Sequence, residues 1–134
     1  MLTLTLREVV DLMRHVIEAG DSEVVGAIVR HVSTHEPRVV RLSNVHEEPE
    51  QNFEVAEKEV VSLYRAMGKR HEYLDVIYHS HTQVEAIPSA GDVEHADLED
   101  AHYLIIAPNG RGRPFRSWRI VDGEASEEQV RVLA

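Results

Sequence analysis

The runs AHYLIIAP (101–108) and PFRSWRIV (114–121) are separated by five residues. Both are rich in apolar, β-branched and aromatic residues and read as strands. A connection that short cannot cross over a sheet, so the two strands must run antiparallel. Upstream, EVVGAIVRHV (23–32), RVVRLSNV (38–45) and LDVIYHSH (74–81) are further strand-like runs, with a short LTLT (2–5) at the start. Between them, LREVVDLMRHVIEAG (6–20) and FEVAEKEVVSLYRAMGKR (53–70) carry apolar residues at helical spacing, the first stopping on Gly20. HEEPEQN (46–52) is a polar loop, and SAGDVEHADLED (89–100) opens with helix-start chemistry. EEQVRVLA (127–134) is expected to finish the sheet, with NGRGR (109–113) as the hairpin turn before the preceding strand. About six strands and three helices in this order predict an α/β (α+β) fold, a mixed, largely antiparallel sheet flanked by helices.

A chain of 134 residues suits a single domain spanning 1–134, and 43% hydrophobic residues supply one core. The formal charge of −10 argues against nucleic acid, which needs a clustered positive surface. The basic clusters MGKRH (67–71) and RGRPFR (111–116) are short and read as solvated turns. No run approaches the roughly 20 apolar residues of a membrane span, so no membrane partner is expected. The first twenty residues carry acids and lack a small-residue cleavage site; no leader is expected, and a cytoplasmic location is the default. Without cysteine there are no disulfides, and any metal must be held by nitrogen and oxygen.

Among the nine histidines, two stand in IYHSHTQVEAIPSAGD (77–92). His79 and His81 are two apart at a strand end, so both rings point to one face and can converge on one cation. Ser80 between them faces away. Eleven residues after His81, Asp92 sits three past Ser89 at the mouth of the next helix, from where its carboxylate can reach the same cation. Ser89 also reads as a plain helix cap, which would aim Asp92 rigidly. Three protein ligands leave a fourth tetrahedral position open, the pattern of a catalytic site rather than a structural one.

His-Ser-His, seven residues, Ser, two residues, Asp resembles the signature of the JAMM (MPN-plus) metalloprotease family, with no departure in spacing. The family's upstream Glu, in a strand similar to E-x-C-G-L-L, corresponds to Glu23 in DSEVVGAIV, with Val25 where Cys is frequent. NVHEEPEQNF (44–53) resembles the family's Asn-rich loop, and the likeness runs from about residue 4 to residue 125. The resemblance implies a JAMM/MPN (cytidine deaminase-like) fold with one zinc ion per chain on His79, His81 and Asp92. It implies that Glu23 carries a proton from the attacking water to the leaving amine, and that Ser89 donates to the oxyanion. The stretches VIYHSHTQVEAIPSAGDVEHA, DAHYLIIA and RSWRIVDG are most similar to bacterial Mec-type peptidases. Those release cysteine from the Gly-Gly tail of a ubiquitin-like sulfur carrier protein during cysteine biosynthesis. Only nine residues separate Asp92 from His102, too few for the insertions with which deubiquitinating members grip ubiquitin. A narrow cleft admitting an extended Gly-Gly tail is expected; a homodimer is left open.

Other readings remain. A general isopeptidase on ubiquitin-like conjugates uses the same ligands, and a non-catalytic MPN scaffold would have lost at least one of them or Glu23. His79, His81 and Glu85 match part of a cupin metal motif, but that fold needs an essentially all-β chain and a further His. Nucleoside deaminases of the zinc class need cysteine ligands. The residues alone leave Glu85 and Glu94 as rivals of Glu23 for the proton-carrying role. Otherwise Glu85 reads as a loop residue at the cleft rim and Glu94 as a surface position on the helix. His15 is expected on its helix surface or capping a neighbour, His95 and His102 as structural, and Trp118 in the core.

Overall fold

The computed structural model describes residues 1–109 and 112–134, so the expected turn at 109–113 lies partly outside the described residues. β1 (Leu2–Thr5) passes directly into α1 (Leu6–Ala19), because Thr5 and Glu8 form a reciprocal capping box. β2 (Val25–His31) and β3 (Pro37–Leu42) form a hairpin, followed by α2 (Glu57–Arg70) and β4 (Glu72–Ser80). The short α3 (Ala90–His95) precedes β5 (His102–Ile106), β6 (Phe115–Val121), β7 (Glu124–Glu128) and β8 (Val130–Leu133). Among the described residues the main sheet has the order β3-β2-β4-β5-β6-β7. Within this sheet β4 and β5 pair in parallel and the other described pairs are antiparallel; β5 and β6 are so as their short connection requires. No described helix is long and apolar enough to cross a membrane.

Strand alternation sorts the core onto two faces. Ile28, Val76, Tyr78, Leu104 and Ile106 face α1 and β1, where Leu12, Leu2 and Leu4 close the layer. Ala27 and Val29 face Leu63 and Met67 of α2, while Tyr103, Ile105 and Trp118 pack with Ala86 beside α3. By the same alternation His79 shares the α2 side with Ile77, and Ser80 shares the α1 side with Tyr78.

Gly26 lies opposite Tyr78 in the β2–β4 register, and a Cβ there would land inside the phenol ring. Tyr78 cannot yield, since it is fully buried and its hydroxyl bonds His15 Nδ1 at 2.7 Å. His15 thus caps a strand residue from α1, and burial lowers its pKa. Gly26→Ala is therefore expected to cost about 1–3 kcal/mol by overpacking. Urea titration followed by far-UV circular dichroism checks this; an unchanged midpoint would show that the ring can move.

Three elements differ from expectation. Residues 127–134 do not form one strand finishing the sheet. Asp122 and Gly123, both at positive φ (52° and 74°), make a two-residue turn that starts β7 at Glu124. The chain then leaves the sheet at Gln129, whose carbonyl accepts from Leu2 N–H, and β8 pairs in parallel with β1 as a separate two-stranded sheet. Phe53–Ala56 stays outside α2, because Glu54 N–H is taken by Asn44 Oδ1 and Glu54 C=O by Val45 N–H. Glu23 and Val24 lie before β2 rather than in it.

Candidate metal centre

The end of β4 builds the site. His79 pairs in register with Val25, and His81, one residue past the strand, donates its backbone N–H to Ile106 C=O at 2.9 Å. Both rings therefore leave the C-terminal end of β4, held between β2 and β5. They are buried, at 3% and 4% exposure. His81 Nδ1 donates to Glu85 C=O at 2.7 Å, which leaves Nε2 with its lone pair toward the cleft. The 82–88 loop that supplies this carbonyl is held from below, where Trp118 Nε1 donates to Ala86 C=O at 3.0 Å.

Asp92 arrives from the other side. Ser89 caps α3, its Oγ accepting from Asp92 N–H at 3.1 Å while its own N–H donates to Asp92 Oδ2 at 2.9 Å. That box turns the carboxylate onto both imidazoles. His79 Nε2 and His81 Nε2 are 3.3 Å apart, and each is 3.2 Å from Asp92 Oδ2. Bonds of 2.0–2.1 Å at tetrahedral angles place neighbouring ligand atoms about 3.3–3.4 Å apart. The triangle has these edges, so among the described residues the three groups form a cluster that could hold one small cation without rearrangement.

The charges suit that use. Burial works against an ionised Asp92, but the bonds from His79, His81 and Ser89 N–H hold its carboxyl well below the usual carboxylate range. Burial also works against a protonated His81, yet Asp92 and the Glu85 carbonyl raise its pKa. Glu23 lies in the same cleft at 7% exposure. Burial pushes its carboxyl up to about 7, with His81 pulling it down and Asp92 adding to the rise.

The five residues expected at the site therefore line one cleft. Ser80 points to the opposite face, where its Oγ accepts from Val24 N–H at 2.8 Å and pins the Glu23 segment to β4. The Glu85 side chain is exposed, and only its backbone carbonyl serves the site. Glu94 and His95 are exposed on α3, with His95 on the cleft wall. His102 is absent from this cleft; it bonds Glu128 at 2.8 Å at the far end of β5. Trp118 is buried in the core. The cleft, about 1150 Å³, is broader than the expected slot, because space stays open between the sheet and Val60, Leu63 and Tyr64 of α2.

Sequence reasoning passed over two contributors. Phe53 lays its ring against His79 with centroids 4.6 Å apart, and Asn44 organises the loop that delivers it. The signal was present in NVHEEPEQNF, but a helical reading of Phe53 hid it.

Comparison with known proteins now bears on this geometry. A CysO-cysteine peptidase of Mycobacterium tuberculosis is 46% identical over 76 residues, which are 56% of this chain and 52% of that protein. A desampylase of Haloferax volcanii is 36% identical over 93 residues, 69% of this chain and 60% of that protein. The chain thus spans about half the length of the first of these relatives. The solution structure of a Desulfitobacterium hafniense protein superposes with a TM-score of 0.81 at 27% identity, covering 98% of this chain and 92% of that one. Residues 7–121 match the family described as prokaryotic homologs of the JAB domain, Prok-JAB, and the chain belongs to that family.

Proposed function

We propose that this protein is a zinc metallopeptidase that hydrolyses the amide bond following the C-terminal Gly-Gly of a ubiquitin-like sulfur carrier protein and releases cysteine. The observation that carries the reading is the His79–His81–Asp92 triangle, whose 3.2–3.3 Å edges match a tetrahedral cation held by nitrogen and oxygen. Such a donor set favours zinc among common biological cations. When bound, zinc supplies Lewis acidity and lowers the pKa of water to about 7.

The chain's own residues divide the remaining work. Glu23, whose carboxyl burial pushes up to about 7, takes a proton from the attacking water and returns it to the leaving nitrogen. Ser89 keeps its hydroxyl hydrogen free while its oxygen caps Asp92, and donates that hydrogen to the developing oxyanion. Phe53, Val84, Ile87 and Pro88 wall the cleft beside His79, His81 and Asp92, while the apolar arm under α2 takes residues flanking the scissile bond. An extended tail gains backbone contacts that offset its ordering entropy. The names of the two curated relatives support this substrate class, and the nine-residue Asp92–His102 segment favours a small leaving group.

The test is mass spectrometry of the zinc-loaded chain with a Gly-Gly-ended sulfur carrier bearing one added cysteine, beside linked di-ubiquitin. Loss of one cysteine with di-ubiquitin intact is expected. Cleavage of di-ubiquitin with the carrier adduct untouched would make the protein a general isopeptidase instead.

A further inference from the structure

Glu23 precedes β2, and the hydrogen bonds of its backbone go elsewhere than the sheet. Its N–H donates to Pro49 C=O at 2.7 Å, and its C=O accepts from Asn44 Nδ2 at 2.9 Å. Both partners belong to the segment between β3 and α2. The two faces of the Asn44 amide do different things. Nδ2 also donates to Asn52 C=O at 2.8 Å, and lies 3.4 Å from Pro49 C=O. Oδ1 accepts from the N–H groups of His46 and Glu54, each at 3.1 Å. One side chain thus folds the 44–54 loop and fastens it to the backbone of Glu23. Beyond Asn52, the same loop places Phe53 on the His79 ring. A separate tie, from Thr82 Oγ1 to Glu50 C=O at 2.8 Å, joins the loop to the ligand side of the cleft.

We infer that Asn44 is a positioning residue for Glu23: its amide N–H fixes where the Glu23 carboxyl stands relative to His79, His81 and Asp92. The inference rests on the proton-carrying role proposed above. Asn44 does not line the cleft, and its hydrogen bonds go to Glu23, Pro49, Asn52, His46 and Glu54 rather than to His79, His81 or Asp92. Ser80 holds the chain at Val24, one residue on; the Glu23 carbonyl itself is held by the Asn44 amide, so the carboxyl shifts once that bond is gone. A misplacement of about 1 Å costs on the order of 10²-fold in rate.

Asn44→Ala removes both faces of the amide. Asn44→Asp keeps the acceptor that organises His46 and Glu54, and removes the amide donor that reaches the carbonyls of Glu23 and Asn52. Thr82→Val breaks the other loop tie and leaves Glu23 alone. With the zinc-loaded proteins and the carrier–cysteine substrate, both Asn44 variants are expected to lose about 10–100-fold in kcat. KM and zinc content should stay within about twofold, and Thr82→Val within about threefold of wild type in kcat. Amide hydrogen exchange at Glu23 should be at least about tenfold faster in the Asn44 variants and unchanged in Thr82→Val. An unchanged kcat in Asn44→Asp overturns the inference. So does an equal loss in Thr82→Val, which would assign the effect to general loosening of the loop. A wild-type chain inactive on the carrier would refute the peptidase reading itself. The exchange measurement would still decide whether Asn44 holds Glu23.

Discussion

Replacing His79 or Asp92 by alanine is expected to reduce the zinc content of the purified chain from about one ion per molecule to less than about a tenth. The expectation follows from how little redundancy the site has. The triangle offers three protein donors, and the two that survive any single deletion cannot close a tetrahedral shell. Each deletion also undoes part of the support for the others. Without Asp92, the two imidazoles face each other at 3.3 Å with no anion between them, and the Ser89 N–H loses its acceptor. Without His79, Phe53 loses the ring it packs on. Metal binding and protonation compete for the same lone pairs. Asp92 stays ionised far into acid, so proton competition is expected at His81, and affinity for zinc should drop as the pH falls through its raised value. Elemental analysis after gel filtration reads the zinc content, and a chelator titration at several pH values reads the affinity. Full zinc occupancy in both variants would remove these residues from the ligand set.

The convergence of His79, His81 and Asp92 was legible because each of its parts obeys a local rule. A period of two puts His79 and His81 on one face whatever the rest of the chain does, and a Ser at a helix start aims the residue three positions on. Glu23 was legible only through resemblance: nothing in DSEVV marks a cleft, and its burial comes from a loop more than twenty residues away. Contributions made by backbone atoms left no trace at all, as with the Glu85 carbonyl that orients His81. Phe53 was hidden by periodicity, since FEVAEKEV continues the pattern of α2 until tertiary bonds to Asn44 and Val45 claim Glu54. The β6–β7 turn was a missed local signal: Asp122-Gly123 is a strong two-residue turn pair, and it displaces the strand start by three residues from the expected 127. The width of the cleft depends on how far α2 stands from the sheet, a distance that no single segment encodes.

Glu23→Gln is expected to bind zinc and fold as the wild type does, yet to lose about 10²–10⁴ in kcat. Gln has the same shape and satisfies the same cleft, so the substitution isolates proton transfer from packing. The size of the loss follows from what an amide cannot do: at no accessible pH does it accept a proton from water and hand it on. Burial suits the carboxyl to the task by pushing it up toward neutrality. Ser89→Ala should lose less, on the order of 10²–10³, by removing one oxyanion donor. It should also weaken α3 by about 1 kcal/mol, because Asp92 N–H loses its cap. Glu85→Gln is the informative contrast. Its side chain is exposed and its carbonyl, which the substitution leaves in place, is the atom that holds His81. It should therefore turn over near the wild-type rate. Steady-state kinetics on the three variants, each with measured zinc content, separates the roles. Normal turnover in Glu23→Gln alongside a dead Glu85→Gln would move proton transfer to the loop carboxylate, and the family's assignment of that role would not hold in this chain.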